Sequence, residues 1–213
     1  THGFEAQANV LYDLVDTEII DGLIIWLAGT TFYINLDEVK VFCNRYSALP
    51  VVTVGVHVEG IPGVTVDNYH GMRNVITHIV DVHKRTRVAF IRGPIHHQEA
   101  AERYQAYKDI LQENGLPFDP KLVVTGDFKE SGGKIALNEL INQCGTRFDA
   151  LIAASDNMAI AAMKELQKRG IRIPEDVSIA GLNDESQSRF ITPPLTTGPL
   201  HFYEQGCKAA EMV

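Results

Sequence analysis

Several short apolar runs in this chain are each followed by side chains able to hold a small molecule. His57 follows the second such run, His96, His97, Glu99 and Arg103 the third, and Asp127 and Phe128 the fourth. Ser155 and Asp156 follow the fifth, and Asn183 and Asp184 the sixth. Amides and carboxylates pair with hydroxyls, imidazole and guanidinium groups donate to acceptors, and an aromatic ring stacks on an apolar face. Together they suit a hydroxylated or heterocyclic small molecule. Arg103 is the most telling of the set. It reads as standing at the start of a helix, where a positive charge opposes the helix dipole and requires an anionic or ligand partner. Asp156 and Asp184 are equally suited to capping the next helix, and Phe128 to a place in the core.

Other chemistries find no pattern to support them. The sequence has no GxGxxG, GxSxG or HExxH. Residues 126–135 differ from a phosphate loop in glycine spacing, and Ile135 stands where a hydroxyl is required. Adjacent His96 and His97 read as a loop pair and not as a metal site, because neighbouring residues seldom aim at one ion. Cys43, Cys144 and Cys207 are odd in number and widely spaced, which favours buried thiols over a disulfide framework. The chain therefore reads as a binding protein without a cofactor or metal, and not as an enzyme.

The apolar runs are Leu23 to Leu27, Pro50 to Val54, Arg87 to Ile91, Leu122 to Val124, Leu151 to Ala154 and Val177 to Ala180. They do not alternate and are rich in β-branched residues, as buried strands of a parallel sheet require. Between them Met72, Val75, Ile76, Ile79 and Val80 share one helical face, with Asp67 or Asn68 as the natural N-cap. Ala100, Tyr104, Tyr107 and Leu111 make another face, as do Ala159, Ala162, Met163 and Leu166. The result is an α/β chain of repeated βα units, and its strand-end residues are where such sheets bind ligands. Helical patterns over residues 4–14 and 203–213 lie at the two ends, so the fold reads as truncated at both.

The 213 residues, 45% hydrophobic and 22% charged, can bury a sizeable core. A net charge of −8 gives no general attraction to nucleic acid or anionic lipid. No apolar run reaches the ~18 residues of a membrane span.

Several motifs in order resemble the effector domains of lactose/galactose-repressor (LacI/GalR) regulators, which share the periplasmic sugar-binding fold. The most specific are residues 173–184, from Ile173-Pro174-Glu175-Asp176 to Asn183-Asp184, and residues 190–197, around Thr192-Pro193-Pro194-Leu195. Val66-Asp67-Asn68-Tyr69-His70-Gly71, Gly93-Pro94 with Arg103, Gly126-Asp127-Phe128 and Ala154-Ser155-Asp156-Asn157 accompany them. The resemblance implies a two-lobed fold, each lobe a parallel sheet flanked by helices, closing on a sugar or nucleoside-like effector. It implies a partial N-terminal lobe over residues 1–66, a C-terminal lobe over 67–193 and a return into the first lobe over 194–213. His57, His97, Glu99, Arg103, Phe128, Ser155 and Asn183 stand where effector contacts fall in the family; Asp156, from the strand-end set, completes the expected ligand-binding group. Asn183 replaces a usual Asp, Ser155 a frequent Asn and Leu200 a common Gln, which bears on ligand identity. A cytoplasmic homodimer is implied, meeting DNA only through a module outside this sequence. The alternatives are a transporter's solute-binding protein, or a sensor fused to a diguanylate cyclase or histidine kinase.

Overall fold

The computed structural model describes residues 15, 18–27, 36–145 and 147–213. The helical pattern over residues 4–14 lies outside the described residues. In chain order the elements are β1 (Leu23–Trp26), α1 (Leu36–Arg45), β2 (Val51–Gly55), β3 (Gly63–Thr65), α2 (Asn68–Thr77) and β4 (Val88–Arg92). There follow α3 (Gln98–Glu113), β5 (Val123–Thr125), α4 (Glu130–Cys144), β6 (Ala150–Ala153), α5 (Asp156–Lys168), β7 (Ser178–Asn183), β8 (Thr196–Pro199) and α6 (Phe202–Met212). The chain divides into two compact units, one of residues 1–66 with 201–213 and one of residues 67–200.

The first unit carries a parallel sheet in the order β1-β2-β3, with Ile24 opposite Val52 and Val54 opposite Val64. Val39 and Cys43 of α1 are buried with Leu27, Val51, Val56 and Val58, and Ala209 of α6 is buried with Val52 and Val54. The first run differs from its sequence expectation. β1 alternates, leaving Ile24 48% and Trp26 59% exposed, because it forms an edge of the described sheet.

The second unit holds a five-stranded parallel sheet in the order β5-β4-β6-β7-β8. Its strand order reverses between β4 and β6, since β5 leaves β4 on one side and every later strand is added on the other. Right-handed crossovers then send the helices to opposite faces. In contact terms α2 packs on α3, and α4 on α5. Phe90, Ile91, Leu151 and Ile152 in the central strands are fully buried, as their apolar runs require. One boundary is corrected. Residues 194–200 belong to the second unit, because β8 pairs in parallel with β7, Ala180 opposite Thr196 and Gly181 opposite Thr197.

The helix built on Met72, Val75 and Ile76 starts as read, with the Asp67 carboxylate accepting from the backbone N–H of His70. It then widens into a π-helical turn over His78–Val82, in which Ile79 and Val80 stay buried. α4 meets α5 so closely that a β-carbon on Gly133 would lie 2.6 Å from the Cα of Met158. Elsewhere a helical Gly→Ala change gains about 1 kcal/mol. Here the overlap reverses the sign, and Gly133→Ala is expected to destabilise the domain by about 1–3 kcal/mol. Urea unfolding checks this, and an unchanged or raised midpoint would show that the helices have room to separate.

Candidate ligand-binding site

Ligands of open α/β sheets bind beyond the carboxyl ends of strands where the strand order reverses. In the second unit that point lies between β4 and β6. The loop after β4 leads through Gly93 and His97 into α3, and the loop after β6 leads through Ala154 and Ser155 into α5. Gly93 is required there for space, because a β-carbon would run into the Phe128 ring and come within 2.8 Å of Ala100 Cβ.

Arg103 is the centre of this region and is only 2% exposed. Its Nε and Nη2 donate to Asn68 Oδ1 at 2.9 and 2.7 Å, and Nη1 donates to the Ala154 carbonyl at 2.6 Å. Two further contacts are longer: Nη2 to Glu99 Oε2 and Nη1 to Asn183 Oδ1, both 3.4 Å. The guanidinium carbon also lies 5.4 Å from the Phe128 ring centre, and that ring meets His97 edge to face at 5.2 Å. Burial pulls the Arg103 pKa below its ordinary value while Glu99 opposes the shift. Burial likewise pushes the Glu99 carboxyl up, with Arg103 pulling it back. Arg103 occupies the sixth position of α3, one turn further along than the sequence suggested, and the partners it requires are present within the protein.

The backbone around this cluster is strained. Phe128, Asn183 and Asp184 have φ of 66°, 138° and 54°, a region that side chains disfavour. Such conformations cost roughly 1–3 kcal/mol each and persist where surrounding structure imposes them.

Six of the expected ligand residues, His97, Glu99, Arg103, Phe128, Ser155 and Asn183, lie in the second unit at or just beyond its strand ends. Ser155 also caps α5, accepting from Met158 N at 3.5 Å and donating to the Phe128 carbonyl at 3.3 Å. His57 belongs to the first unit, exposed just after β2.

Asp156 is held from within the protein. Its carboxylate is fully buried, and it accepts from Thr197 Oγ1 at 2.6 Å, Ser188 Oγ at 2.8 Å and the Glu185 N–H at 2.9 Å. These three bonds make it a strut that ties the start of α5 to the β7–β8 connection. Desolvation raises its pKa despite those donors. Asp184 pairs with Arg189 at 2.7 Å and does not cap a helix. Sequence reasoning missed Asn68 as a site residue. It reads as a helix-start residue, and its partner Arg103 stands 35 positions away.

A polar cluster with an aromatic wall thus lies at the reversal point of a parallel sheet, where open α/β sheets bind small molecules. The profile of the periplasmic binding protein-like domain matches residues 78–213, and the chain belongs to that family. It is 35% identical over 144 residues to the HTH-type transcriptional regulator CelR of Thermobifida fusca, covering 68% of this chain and 42% of CelR. Identity to the ribose operon repressor of Bacillus subtilis (strain 168) is 30% over 189 residues, covering 88% of this chain and 55% of the repressor. The solved CelR–cellobiose complex superposes with a TM-score of 0.81 at 28% identity, over 99% of this chain and 62% of that one. Within its family the chain is of the LacI/GalR effector-binding type. It spans about half the length of the curated relatives it matches.

The Arg103–Asn68 pair supplies a stability test. Asn68→Ala would leave two N–H groups of a buried cation without their acceptor, and is expected to destabilise by about 3–5 kcal/mol. Asn68→Asp keeps the acceptor and should stay near the parent. A double-mutant cycle with Arg103→Ala, read by chemical unfolding, should show coupling of about 1–3 kcal/mol. Simple additivity would mean that the two side chains act separately.

Proposed function

We propose that this chain is the effector-sensing part of a LacI-type transcriptional regulator and that the Arg103 cluster receives a sugar or nucleoside-like molecule. One observation carries the reading. Arg103 is fixed by three contacts of 2.6–2.9 Å to Asn68 and Ala154, while its contacts to Glu99 and Asn183 are loose at 3.4 Å. A ligand hydroxyl can enter between Nη1 and Asn183, accepting from the guanidinium and donating to the amide oxygen, without disturbing the tight set. Phe128 supplies the face on which a sugar or base stacks, and His97 and Glu99 line the approach.

The relatives support the same direction. CelR has been solved with cellobiose, and the ribose repressor is named for a sugar operon. Effector binding acts by shifting the population between conformational states, which an output module reads. For this chain that output is transcriptional and not enzymatic: a helix-turn-helix module outside this sequence meets DNA, in a cytoplasmic homodimer. The net charge of −8 agrees with leaving DNA contact to another module. No helix among the described residues is long and apolar enough to cross a membrane.

Calorimetry on the full-length regulator with cellobiose, ribose and cytidine tests the reading. At least one is expected to bind. Phe128→Ala should weaken it about tenfold through lost stacking. Asn183→Asp should reorder the panel, because a carboxylate accepts hydrogen bonds but does not donate them. A verified ligand that binds both variants as tightly as the parent would place the site elsewhere, and the absence of any small-molecule binder would remove the sensing function.

A further inference from the structure

A second cluster of chemistry-bearing side chains lies at the far end of α2 from Asn68. His78 and His83 bracket the π-helical turn, both exposed, with their Nε2 atoms 3.1 Å apart. In an α-helix, residues five apart diverge by about 140° around the axis. Here the widened turn, closed by the His83 N–H on the His78 carbonyl at 3.3 Å, brings the pair to one side. π-Helical turns are rare and occur frequently at functional sites.

The two nitrogens are within hydrogen-bond distance, and the rings meet edge to face with centres 4.7 Å apart and planes at 88°. The same separation suits a second use: two imidazole–metal bonds of ~2.0–2.1 Å to one ion place their nitrogens about 3.1 Å apart when the angle between the bonds is roughly 100°.

We infer that His78 and His83 form a two-imidazole chelate for a late first-row divalent cation, held in cis through both Nε2 atoms. The Irving–Williams order makes Cu2+ the tightest binder, ahead of Ni2+ and Zn2+. The metal replaces the proton that two neutral imidazoles would otherwise share. No group of three or more metal-ligating side chains occurs among the described residues, so water fills the remaining positions. The site is separate from the Arg103 cluster in its ligands and its chemistry. It fastens the C-terminal end of the helix whose first residue, Asn68, holds Arg103.

The test is titration of Cu2+ into the full chain in a non-coordinating buffer, followed by electron paramagnetic resonance. The first equivalent should show two equatorial imidazole nitrogens. His78→Gln and His83→Gln should each weaken it by at least tenfold, since losing a ligand costs no less than the roughly 10–100-fold of losing its supporting hydrogen bond. The double variant should lose little more than either single one. The chain has 8 histidines, so His96→Gln, from the adjacent pair in the β4–α3 loop, is the control and should leave the first equivalent in place. Both target residues are exposed, and unchanged circular dichroism in each variant confirms folding. Retention of the first equivalent in both single variants, or its loss with His96→Gln instead, overturns the assignment.

Discussion

A buried guanidinium organises the second unit. Removing the Arg103 charge from water costs several kcal/mol, and only a full set of acceptors compensates it. Those acceptors come from the start of α2, the end of β6, the first turn of α3 and the end of β7, at Asn68, Ala154, Glu99 and Asn183. Four segments that are distant in sequence are thereby held to one planar, directional group. Gly93 serves the same centre from below by leaving room for the Phe128 ring. As the proposed ligand site, the cluster is organised in advance, which reduces the ordering cost of binding.

Asp156 is the anionic counterpart. It adjoins Ser155, whose hydroxyl bonds the carbonyl of Phe128, and it fastens the β7–β8 connection through Glu185, Ser188 and Thr197. Thr197 extends the tie, since its hydroxyl donates to Asp156 and accepts from the Asp184 N–H at 3.2 Å. The strained backbone at Asn183 and Asp184 lies between Arg103 on one side and this carboxylate network on the other. Two buried ions of opposite sign, each with its own donors or acceptors, hold the end of β7 where relaxation would otherwise carry it away.

These dependencies explain what could be read from the residues. Runs such as Val88 to Ile91 and Leu151 to Ala153 are fully buried, so their composition alone marks them as strands. β3 and β8, at Gly63–Thr65 and Thr196–Pro199, are three and four residues long and partly exposed, with glycine and proline among them. Their strand character comes from pairing with β2 and β7, which no local pattern records. The strand-end rule located the region but could not separate a side chain facing a ligand from one consumed inside the protein. Asp156 and Arg103 both satisfied it, and both are buried and hydrogen-bonded to segments distant in sequence, which the local sequence does not reveal. Asn68 escaped for the opposite reason, since its local role as a helix-start residue concealed its long-range one.

In the proposed site, the neutral amide at Asn183 sets what can be accepted. A carboxylate there would close a second ion pair on Arg103, tightening a contact that now stands at 3.4 Å. With Asn183, the carboxylate in hydrogen-bond contact with the guanidinium is Glu99, at 3.4 Å, its pKa raised by burial and pulled back by Arg103. All five N–H groups of the guanidinium are matched, but those toward Asn183 and Glu99 are held at 3.4 Å, against 2.6–2.9 Å for those toward Asn68 and Ala154. A group that brings both an acceptor for Nη1 and a donor for Asn183 Oδ1 satisfies both partners at once. A hydroxyl does this with one atom, whereas an apolar group of the same size would leave both poorly paired.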